Sequence, residues 1–268
     1  MSAMTETDRR PARGRKLIIA ALVVGALLVA ADFALAAVGE YQVAQKMREK
    51  FGLTEDPSVR INGFPFITQA IGGDYRDIEI SASGVPVRDQ LRDLEIRANL
   101  YHTRIGLSDL LAGNTRNARI DQVKGSVKIK ASDLNRLVSQ VTPFTDMAIE
   151  PDTRTAPPVG VPADPTVAAV KLSGKTKVAG RDLRITAYGS VSLVNGQVMI
   201  AVKDVELDDM ALDGLDAVLG VVREALSVTI DPGALPFTVT PTAVKVESGA
   251  FTLEGAINNI LLDQAGNQ

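Results

Sequence analysis

The stretch INGFPFITQAIGGDYRDIEISASGV, from Ile61 to Val85, contains the features that decide the fold. Its second half alternates apolar and polar residues and places Ile78, Ile80 and Ala82 on one side, which is typical of a strand with one buried face. Its first half places two phenylalanines around Pro65, although the chain has only 7 Phe, 4 Tyr and no Trp. Because proline fixes its own φ and disfavours helix at the preceding residue, the stretch predicts a corner between a strand and a helix.

The same alternation recurs along the chain and predicts long strands with one solvated face. Asn195-Gly196 separates two alternating runs, and this pair is a strong hairpin signal because both positions tolerate positive φ. Pro241 restricts the last predicted strand or strand pair to a sheet edge or a bulge. The sheet is therefore expected to be at least partly antiparallel. The other alternating runs are Leu94–Leu100, Val123–Ala131, Leu183–Leu193 and 237–255.

Apolar stripes predict three helices, over Glu40–Phe51, over Ser132–Val141 and after Asp213. Between Thr142 and Pro165 the chain has six prolines, too many for regular structure, and we expect an irregular loop within one domain rather than a linker. The predicted third helix carries Leu215, Val218, Leu219, Val222 and Leu226.

The N-terminal region predicts export. Residues 1–16 form a basic tail, and residues 17–38 form an apolar segment whose only charged residue is Asp32. At about 1.5 Å per residue this segment is long enough to span a hydrocarbon core of about 30 Å, and the preceding positive charges keep the tail cytoplasmic. We favour an uncleaved signal anchor, while Ala34–Ala36 also resembles a signal-peptide cleavage site. In either case residues 39–268 form the exported domain.

The sequence offers no defensible catalytic apparatus. The chain has no cysteine and one histidine, His102, which is expected at the solvated end of a strand. The acidic cluster at Asp204–Asp209 lacks the spacing of a calcium loop, and no glycine-rich phosphate loop is present, so neither a metal site nor a cofactor is predicted. A formal net charge of −3 argues against nucleic acid as a partner. We therefore predict a binding protein and no enzymatic activity.

The stretch from Ile61 to Val85 resembles the signature of the LmeA-like phospholipid-binding family of actinobacterial envelope proteins. The matching features are the Gly63-Phe64-Pro65-Phe66 turn, the short apolar helix that follows and the strand start rich in Tyr and Asp. The resemblance implies an α+β, TULIP-like fold in which an elongated, curved antiparallel sheet wraps around amphipathic helices. It also implies a non-enzymatic protein that binds phospholipid and supports the elongation of mannosylated lipoglycans such as lipomannan.

Two interpretations of the turn remain open. The restricted backbone predicts that Phe64 and Phe66 project in different directions, so that one fills the core while the other, with Ile67 and Ile71, lines the mouth of a lipid groove. Alternatively, both phenylalanines belong to an ordinary core. The expected lipid-binding residues are Phe64, Phe66, Ile67, Ile71, Leu215, Val218, Leu219 and Val222, with Gly63 and Pro65 as motif positions.

Two functions fit these features. The first is an envelope protein that handles phospholipid at the outer face of the plasma membrane, either anchored there or released after cleavage of the leader. The second is a membrane-anchored structural or interaction module whose faces dock an envelope enzyme. An elongated apolar cavity favours the first function, and a dry core favours the second.

Overall fold

The computed structural model describes most of the chain and shows an α+β protein, as the sequence predicts. Of the predicted third helix, Gly220, Arg223 and Glu224 are described and are helical, whereas its apolar residues Leu215, Val218, Leu219, Val222 and Leu226 lie outside the described residues. The described residues are 12–87, 91–114, 118–141, 145–155, 164–178, 181–195, 197–207, 220, 223–224, 227, 229–230 and 241–261.

Helix α1 runs without interruption over 40 residues, Ala12–Phe51, and joins the predicted apolar segment to the first predicted amphipathic helix. Its N-terminal part carries large apolar side chains that are exposed, from Leu17 to Val38. By length and composition it is the one helix among the described residues that is suited to cross a membrane. Its C-terminal part, in contrast, packs on the rest of the protein through Val43, Ala44 and Met47.

A six-stranded antiparallel sheet forms the larger layer, and its outer strands come from opposite ends of the chain. Three short helices interrupt the sequence of strands: α2 (Phe66–Gly72), α3 (Leu107–Ala112) and α4 (Ala131–Val141). In spatial order the strands are β1 (Ser58–Asn62), β2 (Asp74–Val87), β3 (Leu91–Arg104), β4 (Arg119–Lys130), β11 (Ala250–Leu261) and β10 (Pro241–Glu247).

A five-stranded antiparallel sheet forms the second layer. The predicted hairpin is confirmed, since β7 and β8 pair antiparallel on either side of Asn195, which has φ of 53°. In spatial order the strands are β5 (Thr145–Pro151), β6 (Val167–Val178), β7 (Arg181–Val194), β8 (Gln197–Leu207) and β9 (Thr229–Ile230).

The two sheets enclose a continuous core between them. Leu94 and Phe251 of the six-stranded sheet meet Val170 and Val191 of the five-stranded sheet, and none of these side chains is more than 1% exposed. Leu134 of α4 packs into the same core, as its predicted apolar stripe requires. Strands on both sides of the proline-rich region therefore share one core.

Two local features follow from the positions of proline. Pro241 begins the edge strand β10, and the register of β10 against β11 shifts immediately after it, which confirms the predicted edge or bulge. The expectation of an irregular loop over 142–165 is wrong for Thr145–Pro151, which forms β5. Because β5 is itself an edge strand and Pro151 is its last residue, the missing proline N–H interrupts no interior ladder.

Candidate functional site

A cavity with a volume of about 430 Å³ lies between the C-terminal part of α1 and the six-stranded sheet. We call it the α1 cavity. Its lining is almost entirely apolar and comes from α1, four strands and the α3 region. The lining residues are Val43, Lys46, Met47, Glu49, Lys50, Phe51, Ile78, Ile80, Ala98, Leu100, Thr103, Ile105, Leu110, Ala112, Gly113, Ala118, Ile120, Val123, Ile257 and Ile260.

The wall of the α1 cavity is the same sheet face that forms the packed core further along each strand. On β3, Leu94 and Ile96 belong to the core between the sheets, whereas Ala98 and Leu100 line the cavity. Because side chains two residues apart lie on one face of a strand, these four residues share one face of β3. The five-stranded sheet covers one part of that face, and α1 covers the other part. Alternation in the sequence identifies the apolar face of a strand but not the element that packs on it. It therefore does not predict which residues of that face line a cavity.

A row of small residues crosses the six-stranded sheet where the packed core gives way to the cavity. Ala98 pairs with Gly125, and Gly125 pairs with Gly255 on the next strand. All three lie on the face that points toward the core. They place almost no side-chain volume at the boundary, so the space above them stays open.

Two carboxylates of α1 fix the helix over the sheet. Asp32 is buried, and its Oδ2 and Oδ1 accept hydrogen bonds from the backbone N–H groups of Phe66 (2.8 Å) and Ile67 (2.9 Å) at the start of α2. Glu40 Oε1 accepts the backbone N–H of Ile61 in the edge strand β1 at 2.7 Å. The apolar N-terminal helix is therefore joined to the folded domain by specific polar contacts as well as by packing.

One polar group faces the apolar cavity. Thr103 is 3% exposed, lines the cavity, and its hydroxyl has no hydrogen-bond partner among the described residues. Directly opposite in the register lies Tyr75, which is fully buried, and burial raises the pKa of its hydroxyl. A buried hydroxyl without a partner costs about 1–3 kcal/mol. The Thr103 hydroxyl is therefore a buried polar group at the cavity wall whose hydrogen-bonding capacity no described residue uses.

The charged residues of the cavity lie on the last turns of α1. Lys46, Glu49 and Lys50 all contribute to the lining, and all three are exposed. Lys46 Nζ lies 3.1 Å from Glu49 Oε2, and an exposed ion pair of this kind contributes no more than about 1 kcal/mol. An anionic group at this edge of the cavity meets the ammonium group of Lys46, whose exposed ion pair with Glu49 is weak.

The two phenylalanines of the opening stretch project in different directions, which is the first of the two interpretations left open by the sequence. Phe66 is 5% exposed and its ring lies 6.4 Å from that of Tyr75, whereas Phe64 is 52% exposed and stacks on Phe33 of α1 at 6.0 Å. Gly63 permits this turn because its φ is 106° and an added Cβ would lie 3.0 Å from the buried amide of Gln69. One phenylalanine therefore belongs to the core and the other to the surface.

The four predicted lipid-binding residues that the structure describes do not line the α1 cavity. Phe66 lies in the core beneath α1, and Phe64, Ile67 and Ile71 are exposed on the outer side of α2. Ile71 instead lines a second cavity of about 380 Å³ between α2 and α3, which shares Ile105 with the α1 cavity. A role for these four residues in lipid binding stays a prediction.

The titratable residues considered for catalysis lie apart from the cavity. His102 is exposed, and its Nδ1 lies 3.5 Å from Asp74 Oδ1. Of the acidic cluster, Asp204 and Glu206 lie on β8, where Glu206 pairs with Arg154 at 3.3 Å, and 208–210 lie outside the described residues. Within the described ranges, no group of three or more His, Asp or Glu side chains is placed to hold a metal ion.

Comparison with known proteins gives a family match that covers most of the chain. The model of a family described as LmeA-like phospholipid-binding matches residues 30–256, which include all residues that line the α1 cavity except those beyond 256. The match begins just before Asp32 and so contains both carboxylates that fix α1 to the domain. A search of curated proteins gave no match.

Proposed function

Because this chain belongs to the LmeA-like phospholipid-binding family, we propose that the α1 cavity holds the acyl part of a phospholipid. The observation that carries the proposal is the lining, in which aliphatic side chains from four strands and α1 face an open space of about 430 Å³. This volume lies within the range of about 300–1,000 Å³ that is usual for sites of small ligands. The core between the sheets, by contrast, is packed.

The lining suits an alkyl chain energetically. Burial of one methylene group contributes about 0.8 kcal/mol, so eight methylene groups in the cavity supply about 6 kcal/mol before entropic costs. Aliphatic walls offer no directional contacts to the chain, and selectivity must then come from polar groups at its end. Thr103 supplies a hydroxyl donor inside the cavity, and Lys46 supplies an ammonium group at its edge.

We also propose that α1 is retained as a membrane anchor, with the basic tail in the cytoplasm and the folded domain outside. Support comes from Asp32, which lies before the possible cleavage site at Ala34–Ala36 and whose carboxylate binds the backbone of Phe66 and Ile67. Cleavage at that site removes Asp32 and Phe33, and with them the contacts that begin α2. A protein that retains the leader keeps all of α1, including Asp32 and Phe33 and their contacts with α2.

A role in the elongation of lipomannan is the finer part of the proposal and is supported only by the resemblance to the family. A cell that lacks the protein is expected to make shorter lipomannan, visible as faster migration on a gel. Complementation with the chain should restore its length, whereas complementation with a variant whose cavity is filled should not.

The decisive experiment is photo-crosslinking of the full chain in liposomes that contain a phospholipid with a diazirine in its acyl chain. Peptides crosslinked to the lipid are identified by mass spectrometry. We expect adducts on the cavity strands, at peptides that contain Ile120, Val123 or Ile257, in addition to adducts on the apolar part of α1. Adducts confined to α1 would refute a lipid in the cavity and would favour the interaction module.

A matched pair of substitutions distinguishes the effect of filling the cavity from the effect of disturbing the whole sheet. Ala98→Phe adds a large side chain inside the cavity, whereas Ala256→Phe adds the same side chain on the exposed face of β11, next to the lining residue Ile257. We expect Ala98→Phe to abolish the adducts on the cavity strands and Ala256→Phe to leave them unchanged. Equal loss in both variants would show that the sheet had been disturbed.

A further inference from the structure

The outer side of α2 is an apolar surface without a cover among the described residues. Phe64, Ile67 and Ile71 are 52%, 46% and 83% exposed, and Phe33 of α1 is 62% exposed. The rings of Phe33 and Phe64 stack at 6.0 Å, so the surface continues from α2 onto α1. We call these four side chains the α2 patch.

The level of the α2 patch along α1 is fixed by three contacts. Asp32 binds the start of α2, Phe33 stacks on Phe64, and the ring of Phe66 approaches Gly39 so closely that an added Cβ would lie 3.6 Å from it. Large apolar side chains remain exposed on α1 as far as Val38. The α2 patch therefore lies beside the last turns of the apolar segment and not beyond its end.

We propose that the α2 patch is inserted into the outer leaflet of the membrane at its interface with water. The inference rests on the proposed anchoring by α1, because exposed apolar side chains on α1 and on α2 at the same level must face the same medium. Short apolar helices that lie in the interface bury their apolar side by about 5–10 Å, which matches a patch beside the final two turns of a membrane span. The occupant is thus a phospholipid surface.

Two further features fit an interfacial position. Tyr41 is 59% exposed one helical turn after the last exposed aliphatic residue of the span, where amphipathic aromatic rings are enriched. Asp32 lies at the depth where a carboxylate is costly, yet both of its oxygens accept backbone hydrogen bonds from α2. The start of α2 therefore satisfies the one charge in the apolar segment.

A second contact with the membrane has a structural consequence. A single helix leaves a domain free to rotate about the helix axis and to tilt, whereas a helix and an adjacent inserted patch fix both. Insertion of α2 also brings Ile71, which lines the cavity between α2 and α3, to the lipid surface. That cavity shares Ile105 with the α1 cavity, so the two spaces adjoin.

The absence of tryptophan from the sequence makes a clean test possible. Three variants of the full chain, Ile71→Trp, Leu27→Trp and Val194→Trp, are each reconstituted in liposomes of phosphatidylcholine and phosphatidylglycerol, with and without lipids brominated on the acyl chains. Leu27 lies in the apolar segment, and Val194 is an exposed residue of the five-stranded sheet. Fluorescence quenching by bromine then reports the contact of each single tryptophan with lipid.

We expect Ile71→Trp to be quenched several-fold more strongly than Val194→Trp and to emit at shorter wavelength, with Leu27→Trp quenched as well. Quenching of Leu27→Trp together with solvent-like emission of Ile71→Trp would overturn insertion of α2 while leaving the anchor in place. Absence of quenching in both would overturn the anchor and the patch together. Shielding of Ile71→Trp without bromine quenching, accompanied by crosslinked dimers, would assign the patch to a second copy of the chain and would also overturn the proposal.

This test is independent of the cavity. Ala98→Phe, introduced together with Ile71→Trp, is expected to remove the photo-adducts on the cavity strands without changing the quenching at position 71. In the Ile71→Trp variant that retains Ala98, adducts on the cavity strands together with an unquenched tryptophan would refute the patch and leave the cavity proposal standing.

Discussion

One half of β3 is covered by a sheet and the other half by a helix, and only the second half borders an open space. Leu94 and Ile96 are 0% and 6% exposed beneath the five-stranded sheet, while Ala98 and Leu100 on the same face line the α1 cavity. The residues of the two halves are alike in type. The difference therefore lies in the layer that covers them.

The dimensions of the two covers explain the difference. Four strands of the larger sheet, β2, β3, β4 and β11, contribute to the cavity wall, and at about 4.8 Å between neighbours they span about 14 Å plus the width of the outer strands. An α-helix with its side chains is only about 10–12 Å wide. A second sheet covers such a face completely, whereas one helix leaves a channel beside it.

The largest expected effect comes from adding a side-chain carbon in the five-stranded sheet, at the register shift between β7 and β8. An added Cβ at Gly189 of β7 would lie 2.1 Å from the carbonyl oxygen of Ala201 and 2.9 Å from Cα of Val202, both of which are backbone atoms. Gly189→Ala is therefore expected to lower the free energy of unfolding by more than about 4 kcal/mol, measured by chemical denaturation. Gly125→Ala in the row of small residues is the control, since its Cβ finds no contact closer than 3.8 Å. Similar losses of unfolding free energy in both variants would show that position 189 is no more tightly enclosed than position 125.

A pair of leucine truncations on β3 compares the two regions directly. Leu94→Ala is expected to lower the free energy of unfolding by about 3 kcal/mol, because it leaves a void in a closed core. Leu100→Ala is expected to cost about 1 kcal/mol or less in the lipid-free protein, because the space beside it is already open. Chemical denaturation of both variants measures the difference. Equal costs would mean that the α1 cavity is as tightly packed as the core.

Detachment of the helical cover should affect one region alone. Asp32→Ala removes the acceptor of two backbone N–H groups at the start of α2, a loss of about 2 kcal/mol by analogy with helix caps. Hydrogen exchange is expected to accelerate in α2, β1 and the last turns of α1, with β6 to β8 unchanged. Faster exchange throughout both sheets would show that α1 supports the packed core too.

The smallest effect is expected at the polar group inside the cavity. Thr103→Val replaces a buried hydroxyl that has no partner among the described residues, so the lipid-free protein should gain about 1 kcal/mol in the free energy of unfolding. Crosslinking of the diazirine phospholipid should fall at the same time, because the bound lipid loses a hydrogen-bond donor. A variant that is more stable and crosslinks as well as the parent would exclude Thr103 from lipid recognition.

Most of the secondary structure follows from the sequence. Alternation at Ile78, Ile80 and Ala82 predicts β2, the apolar stripe that begins at Leu134 predicts α4, and Asn195 marks the hairpin between β7 and β8. These signals are local, since each depends on residues within one element or one turn. The exceptions include α3 and β6, which no pattern identified in the sequence predicts, and β5, whose pairing with β6 supplies hydrogen bonds that the proline-rich composition does not reveal.

The site is less predictable because its determinants are distant in sequence. Asp32 and Phe66 are separated by 34 positions, and the pairing of Gly125 with Ala98 on one side and Gly255 on the other joins three strands. The sequence shows Asp32 only as a costly charge in an apolar segment, although its carboxylate is the acceptor that begins α2. Likewise, the exposed positions of Phe64 and Ile71 depend on where α1 lies, which no local pattern specifies.

Because α1 is uninterrupted, it fixes the distance along its axis between Asp32 and the α1 cavity. The cavity residues of this helix, Val43 to Phe51, follow Asp32 by 11 to 19 positions, and at 1.5 Å per residue they lie about 16–28 Å further along the axis. In the proposed anchored state, the first cavity residue, Val43, follows the last exposed aliphatic residue of the span, Val38, by five positions or about 8 Å, so a lipid in the α1 cavity lies just above the hydrocarbon core. Because the helix is uninterrupted, it would hold this distance between the membrane and the bound lipid constant.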